Sequence, residues 1–345
     1  MRFGIFYEHQ LPRPWDAGAE HKLLKDALEQ IELADRLGFD YLWEVEHHFL
    51  EEYSHSSAPE VFLAAASQRT SRIRIGHGIV QLPFGFNHPA RVAERIATLD
   101  LISDGRVEFG TGESSSEMEL GGFGVERARK RAEWTEALDV VTRLMVEEPF
   151  AGHEGPGLSM PPRNVVPKPL QKPHPPLWVA CSRRETIHLA ATKGIGALSF
   201  SFIEADEARK WVDDYYDTIA SEECVPGGFA VNANLACVLP FMCHEDEETA
   251  IARASTAATS SGTRWPTTTP SDVIAWARRT CGTNSSGTAR PSGSTAAWLL
   301  NRAKCSAPSC WRRASALSAG QSAHPTRCAS SFGATKRSAW TSSSS

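Results

Sequence analysis

The sequence predicts an α/β fold, a (β/α)8 TIM barrel whose last β/α unit is missing or corrupted. Three observations carry this. Short, mostly apolar runs suited to buried strands alternate with longer segments of helical period from residue 2 to about residue 253. The runs are apolar on both faces, the pattern of a parallel sheet covered by helical crossovers. About seven strand–helix units are legible, and the alternation is still running where the composition changes abruptly near residue 253.

The elements follow in order. Residues 2–8, "RFGIFYE", make an apolar strand. Residues 19–38 place Leu23, Leu24, Ala27, Leu28, Ile31, Ala34 and Leu37 on one helical face, and Gly38 stops the helix. Strand 41–47, helix 59–70, strand 73–83, helix 89–103, strand 106–112 and a long helix near 126–147 continue the alternation. A proline-rich excursion occupies 155–176. Strand 176–182, a helix from 184, strand 196–202, a helix near 205–221 and strand 229–240 complete the legible part. The rival is a doubly wound sheet. Gly110 and Gly112 after a strand echo the start of a dinucleotide fingerprint, but Ser115 replaces its third glycine, and no acid ends a following strand at the usual distance.

Charge divides the chain into a domain at 1–253 and a tail at 254–345. The tail holds 11 Lys+Arg and a single acid, Asp272, with 33 Ser+Thr and 17 Ala among its 92 residues. The front part is therefore near −15 and the tail near +10, within a chain of net charge −5. Arginines and lysines in the tail are scattered rather than aligned on a face, which argues against nucleic-acid binding. No signal peptide or membrane span is legible, so a cytoplasmic protein is expected. The eight cysteines divide four and four without zinc spacing, and Cys181, Cys224, Cys237 and Cys243 read as reduced thiols.

In such a barrel the chemistry belongs at the C-terminal strand ends. Those ends are Glu8 and His9, Glu46 with His47 and His48, Gln81, Gly112 with Glu113 and Ser114, Cys181 with Ser182, and Ser201. Adjacent His47 and His48 point to opposite sides, so one faces the mouth; either could equally be a packed, hydrogen-bonded histidine. No second ligand at helical spacing accompanies them, so no metal is expected. At "ACSRRETIHLAA", 180–191, Ser182, Arg183, Thr186 and the first N–H groups of a helix form either a phosphate cradle or an ordinary N-cap. The stretch "ESSSEMELGGFG", 113–124, is either a flap over a cofactor or a plain loop. His153 and His188 read as surface residues.

The stretches "MRFGIFYEHQLP", "LADRLGFDYLWEVEHHF", "IRIGHGIVQLPFGFNHPARVAERIATLDLISDGRVEFGTGES" and "PLWVACSRRETIHLAA" resemble the bacterial luciferase-like flavin-dependent monooxygenases, over roughly 1–253. The resemblance implies a TIM barrel that binds FMN at its strand C-termini. Reduced FMN would come from a separate flavin reductase and react with O2, the co-substrate, to a flavin C4a-peroxide that oxygenates a small organic substrate. His47 matches the catalytic histidine, managing protons beside the flavin. Ser182 and Thr186 match phosphate-side residues. Gly78 and Ile79 match a site of a non-prolyl cis peptide against the flavin ring, a geometry that costs about 3 kcal/mol. Gly112 and Glu113 fall where the chain passes the cofactor. Many members carry a phosphate-binding arginine near Glu113, and Arg183 or Arg184 would substitute here. A homodimer is the family expectation. A deazaflavin (F420)-dependent reductase on the same fold, and a non-catalytic flavin-binding relative, are the alternatives.

The tail reads as a shifted reading frame. Residues 262–269, "GTRWPTTT", permit the codons TAC GCG CTG GCC CAC TAC TAC when read one base out of phase, which encode "YALAHYY". Residues 320–345 permit "AIGTPDQVREFLRRYEEERVDQLIF" in the same frame, an acidic amphipathic helix followed by an apolar strand. The expectation is that 254–345 do not complete the barrel as written.

Overall fold

A computed structural model describes residues 2–200, 205–238 and 244–252. Ser201 and the segment 254–345 lie outside the described residues, and the shifted-frame reading falls there. The chain forms β1 (Gly4–Tyr7), α1 (Ala19–Leu37), β2 (Tyr41–Glu44), α2 (Pro59–Ser67), β3 (Arg74–His77), β4 (Val80–Gln81), α3 (Pro89–Ile102) and β5 (Val107–Gly112). It continues with α4 (Glu117–Gly122), α5 (Lys130–Val146), β6 (His153–Glu154), β7 (Ser159–Met160), β8 (Leu177–Cys181), α6 (Arg184–Thr192), β9 (Gly196–Phe200), α7 (Ala205–Ile219) and β10 (Leu235–Val238).

The strands pair in parallel in the order β1, β2, β3, β5, β8, β9, β10, and β4 also pairs with β5. Strands β3 and β4 are thus one barrel stave interrupted at Gly78 and Ile79, where a single strand over 73–83 was expected. The result is a mostly parallel sheet nearly closed into a barrel, with β1 and β10 at its ends among the described residues. Residue alternation sorts side chains to the two faces. Leu42, Ile75, Val107 and Phe109 pack outward against α1, α2, α3 and α5 in the main core. Trp43, Trp178 and Leu198 fill the barrel interior with Phe6, Tyr41 and Ile79 against them. The two tryptophan rings meet edge to face at 5.3 Å. The Trp43 ring has room because Gly76 lacks a side chain; a Cβ there would lie 2.2 Å from Cε3.

Three local readings need correction. Residues 229–234 are not strand; the Tyr215 hydroxyl sits among the carbonyls of Ile195, Asn232 and Asn234, at 3.0, 3.1 and 3.0 Å, and pins that segment outside the ladder. His153 is not a surface residue, because its Nε2 lies 2.9 Å from Glu136, which also accepts from Gly157 N–H and anchors the β6–β7 hairpin on α5. The stretch 113–124 is not a plain loop, since 117–122 are helical and capped by the Ser116 hydroxyl. Among the described residues no helix is long and apolar enough to cross a membrane.

Candidate active site at the C-terminal mouth of the barrel

The strand ends turn sharply at the mouth. Of the four non-glycine residues with a left-handed backbone among those described, His9, Phe49 and Ser114 each follow a strand at this end, with φ of 51°, 62° and 60°. Such residues cost about 1 kcal/mol or more each and persist where surrounding contacts hold them. For Ser114 the contacts are visible: its hydroxyl donates to Glu119 at 2.8 Å and accepts from Ser116 N–H at 3.2 Å.

Glu119 is the centre of the site. Its side chain is 1% exposed, yet its Oε1 receives His47 Nδ1 at 2.9 Å, His48 N–H at 3.0 Å and Gln81 Nε2 at 3.0 Å. Four donors on one carboxyl require it to be ionised and acceptor-only, so His47 Nδ1 carries the proton. Burial would raise Glu119, but hydrogen bonds from His47, Ser114 and the His48 backbone hold it below the usual carboxylate range. His47 Nε2 then faces the other way, 3.7 Å from Glu8 Oε2. Burial alone would lower His47, but the hydrogen bond to Glu119 and the charges of Glu8, Glu119 and Glu46 outweigh it and hold the imidazole above its ordinary value. Burial raises Glu8 above the usual range against the opposing charge of His47. Tyr53 donates to Glu8 at 3.1 Å and stands edge-on to the His47 ring at 5.4 Å.

His47 and His48 do diverge. His48 turns to Glu46 at 3.2 Å and to the edge of Phe123 at 4.8 Å. Glu46 accepts from Gln81 N–H at 2.7 Å and Asn87 Nδ2 at 3.0 Å. Behind the wall, on the helix side, His9 Nε2 lies 2.9 Å from Glu44, which is also hydrogen-bonded to Ser56. Burial raises Glu44 there despite its histidine.

The remaining sequence-predicted residues end or follow β3, β5 and β8 in the chain. Gly78 lies against Phe6 and Trp43, and Ile79 packs on Gly112, whose missing side chain leaves it room. The cis peptide bonds among the described residues all precede proline, so Gly78–Ile79 is not one of them. Gly78 N–H donates to Glu44 O at 2.7 Å and extends the β2–β3 ladder up to that bond. Strand register sets Glu113 beside Cys181 and Ser182, two residues past the Thr111–Val179 pair. Arg131 of α5 grips Glu113 through Nε and Nη2 at 2.9 and 2.7 Å, so the carboxylate is matched by a cation from another element. Arg184 pairs instead with Asp214 at 3.4 Å. Arg183 is the N-cap of α6, and the Thr186 hydroxyl is engaged with it, donating to Arg183 O at 2.7 Å and accepting from its N–H at 3.2 Å. Burial pushes the Cys181 thiol up to about 12, so it is inert beside them.

Sequence reasoning missed Glu119, Tyr53 and Arg131. For Glu119 a signal existed: Ser116 and Glu119 have the S-x-x-E spacing of a helix start, and the Ser116 hydroxyl does accept from Glu119 N–H at 3.4 Å. Two buried acceptors at the mouth, Gln81 Oε1 and Glu8 Oε2, receive no hydrogen bond from the protein. They suit a ligand that brings N–H donors, as the pyrimidine edge of a flavin does.

Comparison with known proteins gives the family. The family model for luciferase-like monooxygenases matches residues 1–318. Limonene 1,2-monooxygenase of Rhodococcus erythropolis is 40% identical over 138 residues, 39% of this chain and 35% of that protein. The oxygenase component of flavin-dependent trigonelline monooxygenase from Acinetobacter baylyi is 30% identical over 198 residues, 56% of this chain and 52% of that protein. These matches span about half or less of the relatives' own length. The crystal structure of monooxygenase RslO1 from Streptomyces bottropensis superposes with a TM-score of 0.67 at 29% identity, covering 81% of this chain and 82% of that one. The chain belongs to the luciferase-like monooxygenase family.

Proposed function

We propose that this protein is an FMN-dependent monooxygenase that uses reduced FMN and O2 to oxygenate a small organic substrate. The observation that carries it is the Glu119–His47–Glu8 line at the barrel mouth, beside two buried acceptors that the protein leaves for a ligand. The flavin, when bound, supplies the electrons that activate O2. The chain's own residues do the rest. Gly78, Ile79 and Gly112 present a flat, narrow surface for the ring. Ser182, Arg183 and the first N–H groups of α6 face the phosphate, with Arg131 held nearby by Glu113. Glu119 fixes the tautomer of His47, so proton uptake and release occur at Nε2. Tyr53 and Phe123 shield the two histidines from water.

The relative described as an oxygenase component supports a separate reductase as the source of reduced flavin. A homodimer follows from family expectation. The test supplies reduced FMN through a generic flavin reductase and follows 18O from O2 into a panel of small organic substrates. His47→Ala should keep flavin affinity and lower oxygenated product about 100-fold or more, the usual contribution of a positioned acid–base group. Unchanged product yield would remove His47 from its role. Oxidation of an alcohol with F420 and without O2 would replace the whole reading with the deazaflavin alternative.

A further inference from the structure

Behind the active-site wall, the loop that carries His47, His48 and Tyr53 leaves the end of β2 and returns to it at Ser56. The return is fastened twice. The Ser56 carbonyl accepts from His47 N–H at 2.9 Å. The Ser56 hydroxyl reaches back to the strand end, 2.5 Å from Glu44 Oε1 and 2.6 Å from the Val45 carbonyl oxygen. Ser56 and Glu44 are both buried.

Proton counting decides the state of Glu44. Three oxygens stand in a row, and each of the two short separations needs a proton between its oxygens. A carbonyl brings none and a hydroxyl brings one. One proton shared between both acceptors would hold each of them at or beyond the usual distance of about 2.7–2.8 Å. The second proton therefore sits on Glu44, which donates to Ser56 while Ser56 donates to Val45 O. The surroundings agree. Glu44 Oε2 is buried without a hydrogen-bond partner, whereas the ionised Glu119 has donors on both oxygens. His9 Nε2 lies 2.9 Å from Glu44 Oε1, but its Nδ1 is buried without an acceptor, so a charged imidazole there would strand an N–H. Tyr7 and Glu8 flank Glu44 from the β1 side and bring no positive charge. His77, its ladder partner on β3, faces a separate polar cavity lined by Glu60 and Arg95. Burial likewise favours the neutral acid.

We propose that Glu44 is a buried carboxylic acid that donates to Ser56, and that this pair is the latch that positions His47 and Tyr53 from the foot of their loop. Within the loop, His47 Nδ1 and His48 N–H reach Glu119, and Tyr53 donates to Glu8 and stands edge-on to His47. Moving Ser56 moves the backbone of His47, and with it the ring that carries the proton chemistry. Glu44 and Ser56 are thus positioning residues that act through the His47 backbone. The protonated latch stands on geometry; its value for catalysis rests on the FMN monooxygenase reading.

Glu44→Gln and Ser56→Ala in the full chain test the latch. A glutamine amide keeps an N–H where the acid has its O–H, so E44Q should retain the latch, whereas S56A removes the hydroxyl that both bonds need. Infrared spectra with 13C-labelled glutamate, taken at about pH 8 where exposed carboxyls are ionised, should show a protonated-carboxyl band in the wild type that E44Q lacks. An unchanged band overturns the protonated Glu44. The NMR titration of His47 should match the wild type in E44Q and fall toward the ordinary histidine value in S56A. A His47 that shifts in E44Q, an E44Q chain that does not fold, or a His47 unmoved in S56A overturns the latch. With reduced FMN supplied, S56A should lower kcat about tenfold or more with substrate KM within about twofold of the wild type, the mark of a misplaced proton-transfer group. An unchanged kcat removes Ser56 from positioning. A chain that passes both spectral tests yet oxygenates nothing would instead refute the proposed activity.

Discussion

Removing Glu119 should damage both stability and proton chemistry, and the two effects are separable. In Glu119→Ala, His48 N–H and Gln81 Nε2 lose the acceptor they share. A buried donor left without a partner costs about 1–3 kcal/mol, so the pair should cost about 2–4 kcal/mol. Glu119→Gln keeps a carbonyl at the same place and should cost about half of that. In both variants His47 loses its anionic neighbour, so its pKa should fall from its raised value. The folded-state value of His47 lies above its ordinary 6.5, so its share of stability is complete below 6.5 and fades as pH rises through the raised value. Glu119 lies below its ordinary 4.5 when folded, so its share is complete above 4.5 and is lost on acidification through the lowered value. The stability gap between wild type and E119Q should therefore be widest between pH 4.5 and 6.5. Urea denaturation across that range measures the gap, with equal m-values as the control. An NMR titration of His47 measures the pKa. A loss under about 0.5 kcal/mol in E119A, the size of a surface change, would refute the reasoning. So would an unmoved His47 in E119Q.

Further predictions concern neighbouring groups. Burial raises Glu8, so the folded protein favours its protonated form, and ionising it costs stability as pH rises. Glu8→Gln should therefore melt above the wild type at pH 8 and converge with it in acid; a lower melting temperature at pH 8 would contradict this. Gly110→Ala would set a Cβ 1.9 Å from the His77 carbonyl oxygen, between two barrel strands that cannot part locally. It should cost about 3 kcal/mol or more, and a near-neutral melt would show that β3 and β5 do not approach as described. For residues 254–345 the shifted-frame proposal requires an open frame offset by one base after codon 253, and a nucleotide sequence without it ends that proposal.

Much of the frame was legible because it depends on period. The α1 helix runs to Leu37 and stops at Gly38, whose backbone is left-handed at φ 90°, as the apolar stripe and the glycine foretold. What was not legible depends on long-range partners. Nothing local in 229–234 announces that Tyr215 will claim its carbonyls. Nothing in "RIGHGIVQLP" shows that the strand is interrupted at Gly78 and Ile79, because the ladder partners lie on other strands, Glu44 for Gly78 and Thr111 for Val80. His153 looked solvated until Glu136, 17 residues away in the chain, was brought beside it.

The sequence by itself determined the parallel α/β plan, the strand ends where chemistry gathers and the candidacy of the His47–His48 pair, of which the family resemblance singled out His47. These follow from periodicity, turn chemistry and residue type, all of them local. Only the tertiary structure decided that Glu119 locks His47 with Nε2 outward, that Arg131 answers Glu113, and that His77 faces a polar cavity behind the wall. The first two outcomes depend on distances of about 3 Å between groups separated by 72 and 18 residues. Burial then multiplies their electrostatic weight, because the water that would screen them is gone.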